Sequence, residues 1–395
     1  MRLLFVNRFY RPDEPATAQL LTDLAEALVA GGHEVTVIAS HPGPAGVSLA
    51  ETVRGVRIER LRSTRWGRHG AAAKALDFAT FHGAALFRLF ATARRGDIVI
   101  ALTDPPLIGI PAWLVARLRG ARIVHWVQDI YPEVAAVLSG QRWLLAARCP
   151  RNVSWRRSDA CVTLGTDMAA VIRASGVPED KLFVVPNYAQ ADLRPQPDET
   201  AAGLRGEWGL AGKFVAAYTG NLGRAHDLGI LLEAAGLLAA DPRIAFVFIG
   251  GGPQRAALEA EAARRGLRNV QFHPQPPRAR LAAALALGDV HFVTLRPGCE
   301  PYLLPSKLYS VAAVGRPAIF IGPPDCEVAR LVSGGGFGRA FAPGDTAALA
   351  EYIRGLSAAP GECARLRAAA EAFSREGGGS AAAARAWEPI LAGLP

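Results

Sequence analysis

Three stretches in the second half of the chain combine residue types suited to holding a phosphorylated ligand. The first, Gly220-Asn221-Leu222-Gly223-Arg224-Ala225-His226-Asp227, follows an apolar run at 214–219 and leads into a helical pattern at 228–240. A glycine-bearing turn from strand to helix leaves backbone N–H groups free at a helix start, which favours an anion. Arg224 and His226 add side-chain donors on the same loop, although an ordinary turn with a solvated arginine fits these residues equally well. The second stretch, Gly250-Gly251-Gly252-Pro253, permits close backbone approach to a ligand, but glycines also serve plain turns. In the third, Glu300 precedes Pro305-Ser306-Lys307-Leu308-Tyr309-Ser310. A lysine at a helix start beside the arginine loop carries the charge to neutralise a diphosphate leaving group; its plain reading is a surface lysine on an amphipathic helix. In the first half, Asp129 stands just past an apolar run at 122–128, ahead of Ile130-Tyr131-Pro132-Glu133. It is placed to orient or deprotonate a hydroxyl, or to cap the helix that follows.

These residues fall at the ends of elements that alternate between strand and helix, twice over. In the first half strands are expected at 2–7, 33–40, 97–103, 122–128, 160–164 and 182–186, with a helix at 16–30 that ends at Gly31-Gly32. In the second half strands are expected at 214–219, 244–249, 270–273, 289–295 and 317–321. Continuous Val/Ile/Leu runs separated by helices imply parallel sheets covered on both faces. The polar, proline-bearing stretch between them suggests domains at 1–190 and 213–368 joined by a linker at 191–212. A helical segment at 369–395 is free to pack back on the first domain. Open parallel sheets bind ligands beyond the carboxyl ends of their strands, where all three loops fall.

Composition narrows the class. The 395 residues are 50% hydrophobic and 20% charged, which excludes global disorder and gives a prior of two or three domains. Five scattered cysteines, without a C-x-x-C pair, exclude a disulfide scaffold and suit a reducing compartment. The eight histidines form no ligand-spaced pair, so no metal is expected. The N-terminal apolar run is too short for an export signal, and prolines and Asp104 break the longest run at 98–116; both point to a soluble, cytoplasmic protein. The net charge of +9 is concentrated in 54–95, which holds ten basic residues and two acidic ones. Arginine preference explains part of it, and an anionic surface as partner would explain the rest. Nucleic acid is not expected, because no such binding motif occurs.

The spacing of Gly220 to Asp227, the 249–253 turn, Pro305-Ser306-Lys307-Leu308-Tyr309 and Gly315-Arg316-Pro317 resembles retaining glycosyltransferases of family 4. Phe9-Tyr10-Arg11-Pro12 and Asp129 to Glu133 extend the resemblance over nearly the whole chain. It is similar above all to the WbuB-like branch associated with O-antigen and other surface polysaccharides. The resemblance implies the GT-B fold: two facing Rossmann-like domains, α/β with doubly wound parallel sheets, and a cleft between them.

It also implies roles. Arg224 and Lys307 would meet the diphosphate of a nucleotide-sugar donor, expected to be UDP-linked. Gly220, Asn221, Gly223, His226, Gly250, Gly251, Gly252, Pro305, Ser306 and Ser310 would line the donor, and Glu300 would hold its sugar hydroxyls. Many members carry two glutamates near the donor sugar; Ser310 stands where the second is expected. Asp129 would act on the acceptor hydroxyl or the donor sugar, with Asp13, Tyr131 and Glu133 on the acceptor side. The acceptor would be a glycan, free or linked to polyprenyl diphosphate, reached at the inner face of the cytoplasmic membrane. A sugar-nucleotide 2-epimerase of the same architecture, or a non-catalytic nucleotide-sugar-binding partner, would use similar residues. A nicotinamide oxidoreductase is disfavoured, since neither glycine turn gives G-x-G-x-x-G with a following ribose carboxylate.

Overall fold

The computed structural model describes residues 1–43, 47–67 and 70–394. The chain divides into two compact units. Unit 1 comprises 1–190, 301–304 and 380–395; unit 2 comprises 191–300 and 305–379.

Unit 1 holds strands β1 (Arg2–Val6), β2 (Glu34–Ser40), β3 (Ala50–Val53), β4 (Val56–Leu61), β5 (Ile98–Ala101), β6 (Arg122–Val127), β7 (Ala160–Thr163) and β8 (Leu182–Val184). They form one sheet in the order β3-β4-β2-β1-β5-β6-β7-β8, parallel except for the β3–β4 hairpin. Its helices are α1 (Ala16–Ala30), α2 (Ala71–Thr92), α3 (Gly109–Arg119), α4 (Glu133–Ser139), α5 (Arg148–Arg156) and α6 (Thr166–Ala174). Residues alternate between two buried faces: Leu3, Phe5, Val35 and Val37 join one core, Leu4, Val6 and Ile38 the other. This is why these strands read as unbroken apolar runs.

Unit 2 begins with α7 (Glu199–Glu207) and builds a second parallel sheet from β9 (Phe214–Thr219), β10 (Ile244–Ile249), β11 (Val270–His273), β12 (Val290–Thr294), β13 (Ala318–Ile321) and β14 (Gly338–Phe341). The order is β11-β10-β9-β12-β13-β14. Helices α8 (Gly229–Leu237), α9 (Arg255–Arg264), α10 (Leu281–Ala286), α11 (Lys307–Ala313), α12 (Glu327–Gly334), α13 (Thr346–Ser357) and α14 (Pro360–Gly377) cover it. The last helix, α15 (Gly379–Ala392), places Trp387 in the core of unit 1, edge-on to Trp126 at 5.3 Å.

Three features depart from the sequence expectations. The stretch 191–212 is not a bare linker: Ala201, Leu204 and Leu210 are buried in unit 2 against Val215 and Ala217. Residues 301–304 interrupt the second unit and belong to the first. Several arginines of 54–95 already hold carboxylate or carbonyl partners, because β4 is a charged strand whose groups pair, while Arg62, Arg94 and Arg95 stay exposed. Arg54 bonds Glu26 at 2.9 Å, Arg57 and Arg88 share Glu59, and buried Arg60 meets Glu51 at 2.6 Å and the Ser48 carbonyl at 2.8 Å. Arg65 donates to the His41 carbonyl, and Arg68 lies outside the described residues.

Candidate active site

In unit 2 the strand order reverses between β9 and β12, the position where open α/β sheets hold ligands. The loop after β9 is tied across this point. His226 Nδ1 donates to the Thr294 carbonyl at 2.6 Å, and the Arg296 N–H donates to the Ala225 carbonyl at 2.8 Å. A carbonyl only accepts, so Nδ1 carries the ring proton. Burial, with Lys307 nearby, pushes the His226 pKa down to about 3. His226 is therefore a neutral clamp whose N–H is already used, not a cationic donor. Arg224, on the same loop, is exposed.

Lys307 opens α11 with its Nζ 3.7 Å over the Tyr218 ring and donating to the Tyr218 hydroxyl. That hydroxyl in turn donates to the Asn221 carbonyl at 2.9 Å. A Cβ built on Gly220 would lie 4.0 Å from Lys307 Nζ, so the ammonium sits against the glycine turn. Burial holds Lys307 well below the usual lysine range, because no carboxylate accompanies it out of water.

The glycine triplet divides by function. Gly250 and Gly252 have φ of +137° and +144°, and a Cβ on them would fall 2.1 Å from the Gly220 carbonyl oxygen and 2.6 Å from Asn221 Oδ1. Their missing side chains let the two loops touch each other, where the sequence suggested approach to a ligand. Gly251 alone is open, with no atom within 4 Å of its would-be Cβ. Pro305 is buried, Ser306 and Ser310 are half-buried on the α11 segment, and Glu300 is half-buried. Glu300 Oε2 is buried and has no hydrogen-bond partner among the described residues.

In unit 1 the sheet reverses between β1 and β5, where the Arg8 N–H donates to the Asp104 carbonyl. Asp129 follows β6. Its N–H donates to Thr103 Oγ1 at 3.1 Å, it bridges to Leu303, and the neighbouring Ile130 N–H donates to the Tyr302 carbonyl at 2.7 Å. The cap reading of Asp129 fails, since α4 begins only at Glu133 behind Pro132. Burial and the nearby Asp104 raise the Asp129 pKa to about 7; burial raises Asp104 to about 6, against the opposing pull of Arg8 and Lys74. Asp129 and Tyr131 line a cavity of about 20 Å³ with His125 and Arg151, room for one water.

The other acceptor-side candidates hold local partners. Both Glu133 oxygens are bonded by Arg151 at 2.8 Å, and Arg148 joins at the same distance. This buried ion pair anchors α5 to α4 and engages both Glu133 oxygens. Asp13 closes a local turn through the Tyr10 N–H, with burial raising its pKa. No group of three His, Cys, Asp or Glu side chains arranged for a metal occurs among the described residues.

A family model described as a glycosyl transferase 4-like domain matches residues 17–188, and one for glycosyl transferases group 1 matches 213–358. WcaI of Escherichia coli (strain K12), whose name assigns it to colanic acid biosynthesis as a glycosyl transferase, is 30% identical over 353 residues, covering 84% of this chain and 86% of that protein. The chain belongs to this glycosyltransferase family. WbjE of Pseudomonas aeruginosa, named as a glycosyltransferase, is 30% identical over 67% of each chain. The fold is GT-B: Anabaena HepE, solved with UDP, matches over the full length of both chains with a TM-score of 0.77 at 16% identity. WaaG, a glycosyltransferase involved in lipopolysaccharide biosynthesis, matches with a TM-score of 0.70 at 14% identity, covering 94% of this chain and 95% of that one.

Three residues that shape the candidate site carried weaker sequence signals. Tyr218, inside an apolar strand, reads only as core. Gln254 donates to the His226 carbonyl at 3.0 Å and also bonds the Gly223 carbonyl, holding the loop from α9. Asp104 stood out in the sequence merely as a break in an apolar run; its position just beyond β5, at the carboxyl end of a parallel sheet, was the available signal.

Proposed function

We propose that this glycosyltransferase transfers a hexosyl or N-acetylhexosaminyl unit from a UDP-linked donor to a glycan or polyprenyl-diphosphate-linked acceptor, with retention of configuration, in surface polysaccharide synthesis of the O-antigen type. The reading rests on one observation above all: Lys307, a desolvated cation without a carboxylate, set against the Gly220 turn. Such a cation gains most from an anion, and a departing diphosphate develops charge as its bond to the sugar breaks. Arg224 adds a second cation, and the unpartnered Glu300 Oε2 suits a sugar hydroxyl. The UDP-bound HepE structure supports a uridine nucleotide, and the name of WcaI supports polysaccharide synthesis.

In this reading the leaving diphosphate is neutralised by Lys307 and Arg224, an oxocarbenium-like sugar forms, and the acceptor attacks the same face. Asp129 orients or deprotonates the acceptor hydroxyl. The enzyme works at the inner face of the cytoplasmic membrane, where lipid-linked acceptors are presented. Product anomeric configuration by NMR tests retention, and inversion would overturn it. Because two cations carry the charge, turnover should persist in EDTA; loss of activity restored by magnesium or manganese would contradict the clamp. Donor turnover to a 2-epimer without acceptor would replace the transferase reading.

A further inference from the structure

The outer face of α2 inverts the usual pattern of a surface helix. Apart from exposed Lys74, its ionisable groups turn to other parts of the fold: Asp77 accepts from the Trp66 and Gly67 N–H groups at 2.8 Å, His82 bonds the Phe78 and Pro106 carbonyls, and Arg88 bonds Glu59. Its apolar residues point to solvent instead. Leu76, Leu86, Phe87 and Phe90 recur at helical spacing along one exposed stripe, with Phe87 76% exposed. A water-facing helix carries charge on such a stripe. Helix α3, packed beside α2, continues the face with Leu114 and with Leu118, 64% exposed. The Arg119 guanidinium lies 5.1 Å from the Phe90 ring, which joins the two helices into one surface.

Charge around this face has one sign. Arg94, Arg95, Arg117 and Arg119 are exposed where α2 and α3 end. Between positions 62 and 119 the acidic residues are Asp77, Asp97 and Asp104, and none is exposed. An apolar face beside exposed arginines matches an anionic bilayer, into which Phe and Leu insert while arginines meet lipid phosphates. It does not match a second copy of the same basic surface, which would repel it. No helix among the described residues is long and apolar enough to cross a membrane.

We infer that α2 and α3 form a membrane-docking face that inserts Phe87, Phe90 and Leu118 into the headgroup region of an anionic phospholipid bilayer, with Arg94, Arg95, Arg117 and Arg119 on the phosphates. This deepens the membrane location proposed above and rests on it. It narrows the contact from the whole basic segment 54–95 to its helical end, a surface defined by exposed rings, and leaves out the β4 arginines, which already hold ion pairs.

The test is co-sedimentation of the full chain with vesicles of phosphatidylglycerol and phosphatidylcholine, and of phosphatidylcholine alone, at low and high salt. Wild-type protein should bind the anionic vesicles more tightly, with salt weakening but not abolishing the binding. Phe87→Ser with Phe90→Ser should lower partitioning about tenfold or more, and Arg94→Glu with Arg95→Glu should remove the preference for anionic lipid. Both variants should keep the wild-type melting temperature and its rise with UDP, a readout that tests the donor reading separately. Absence of vesicle binding by the wild-type chain overturns the inference. So does binding that survives both double variants, or a concentration-dependent dimer that the Phe87→Ser, Phe90→Ser chain no longer forms.

Discussion

The two units bury ionisable groups of opposite sign beyond the carboxyl ends of their parallel strands. In unit 2 the group is Lys307, held by a ring and a hydroxyl with no carboxylate; in unit 1 it is Asp129, raised by burial and by Asp104. Burial disfavours the charged form in both, but the consequences differ. A desolvated ammonium recovers most by binding an anion, which in the proposed reading is the leaving group held by unit 2. A carboxylate with a pKa of about 7 exchanges its proton near neutrality, which in the proposed reading lets unit 1 handle the acceptor hydroxyl.

Removing the cation breaks the comparison on its stronger side. Lys307→Met should lower kcat by about 10²–10³, the loss typical of one preorganised donor at a developing charge. Its melting temperature should hold or rise, because a desolvated charge is exchanged for an apolar group of similar volume. Arg224→Ala should also lower turnover while leaving stability unchanged, since its side chain is exposed. Wild-type kcat in both variants would show that the diphosphate is held elsewhere.

The carboxylate side is sharpened by pH. If Asp129 acts ionised, kcat/KM rises through a limb near pH 7. Asp104→Asn removes the negative charge that raises Asp129, so the limb should move to lower pH. Stability runs the opposite way. Asp129 ionises near 3.8 when unfolded and near 7 when folded, so the folded state holds more protons between those values and stability falls as pH rises through them. Asp129→Asn should therefore raise the melting temperature at pH 8, by about 2–4 °C for each kcal/mol recovered, with little change near pH 4, while turnover drops. An unmoved limb in Asp104→Asn would dissolve the pair.

How much of this was legible in the sequence follows the same division. Strands buried on both faces announced themselves as Val/Ile/Leu runs, and the loops at their ends could be placed from them. The β3–β4 hairpin could not, because Arg57, Glu59 and Arg60 look solvent-facing until their ion pairs are known. Residues 191–212 read as a linker from prolines and charge, although Ala201 and Leu204 bury one side of α7. In the site, charged residues after glycine turns were visible by type. Their state was not: the neutrality of His226 comes from burial and from Lys307, its orientation from the Thr294 carbonyl, and the ion pair of Glu133 depends on Arg151, all distant in sequence or set by packing.

Tyr218 is where strand and site coincide, and its variant should have an intermediate effect. Tyr218→Phe keeps the ring beneath Lys307 but removes the hydroxyl bonded to both Lys307 and the Asn221 carbonyl. With a hydrogen bond to a charged group contributing about 1.5–3 kcal/mol, a loss of about tenfold or more is expected. As a positioning residue it should act on kcat more than on KM. The alkaline limb, where Lys307 loses its proton, should move to lower pH because an acceptor for the ammonium is gone. A purely structural tyrosine would lower the melting temperature and leave that limb in place.

The smallest effect is expected at Gly251, and it separates ligand contact from loop packing within one triplet. Gly250→Ala would force a Cβ to 2.1 Å from the Gly220 carbonyl oxygen, and Gly252→Ala to 2.6 Å from Asn221 Oδ1, both at left-handed φ. Each should lower the melting temperature and disturb the whole site. Gly251→Ala meets nothing within 4 Å, so its melting temperature should match the wild type. If the backbone of this turn approaches the nucleotide, the added methyl should weaken UDP binding severalfold in titration calorimetry, with kcat at saturation little changed. Unchanged UDP affinity would assign all three glycines to packing between the loops, and leave donor recognition in unit 2 to the Lys307 side of the site.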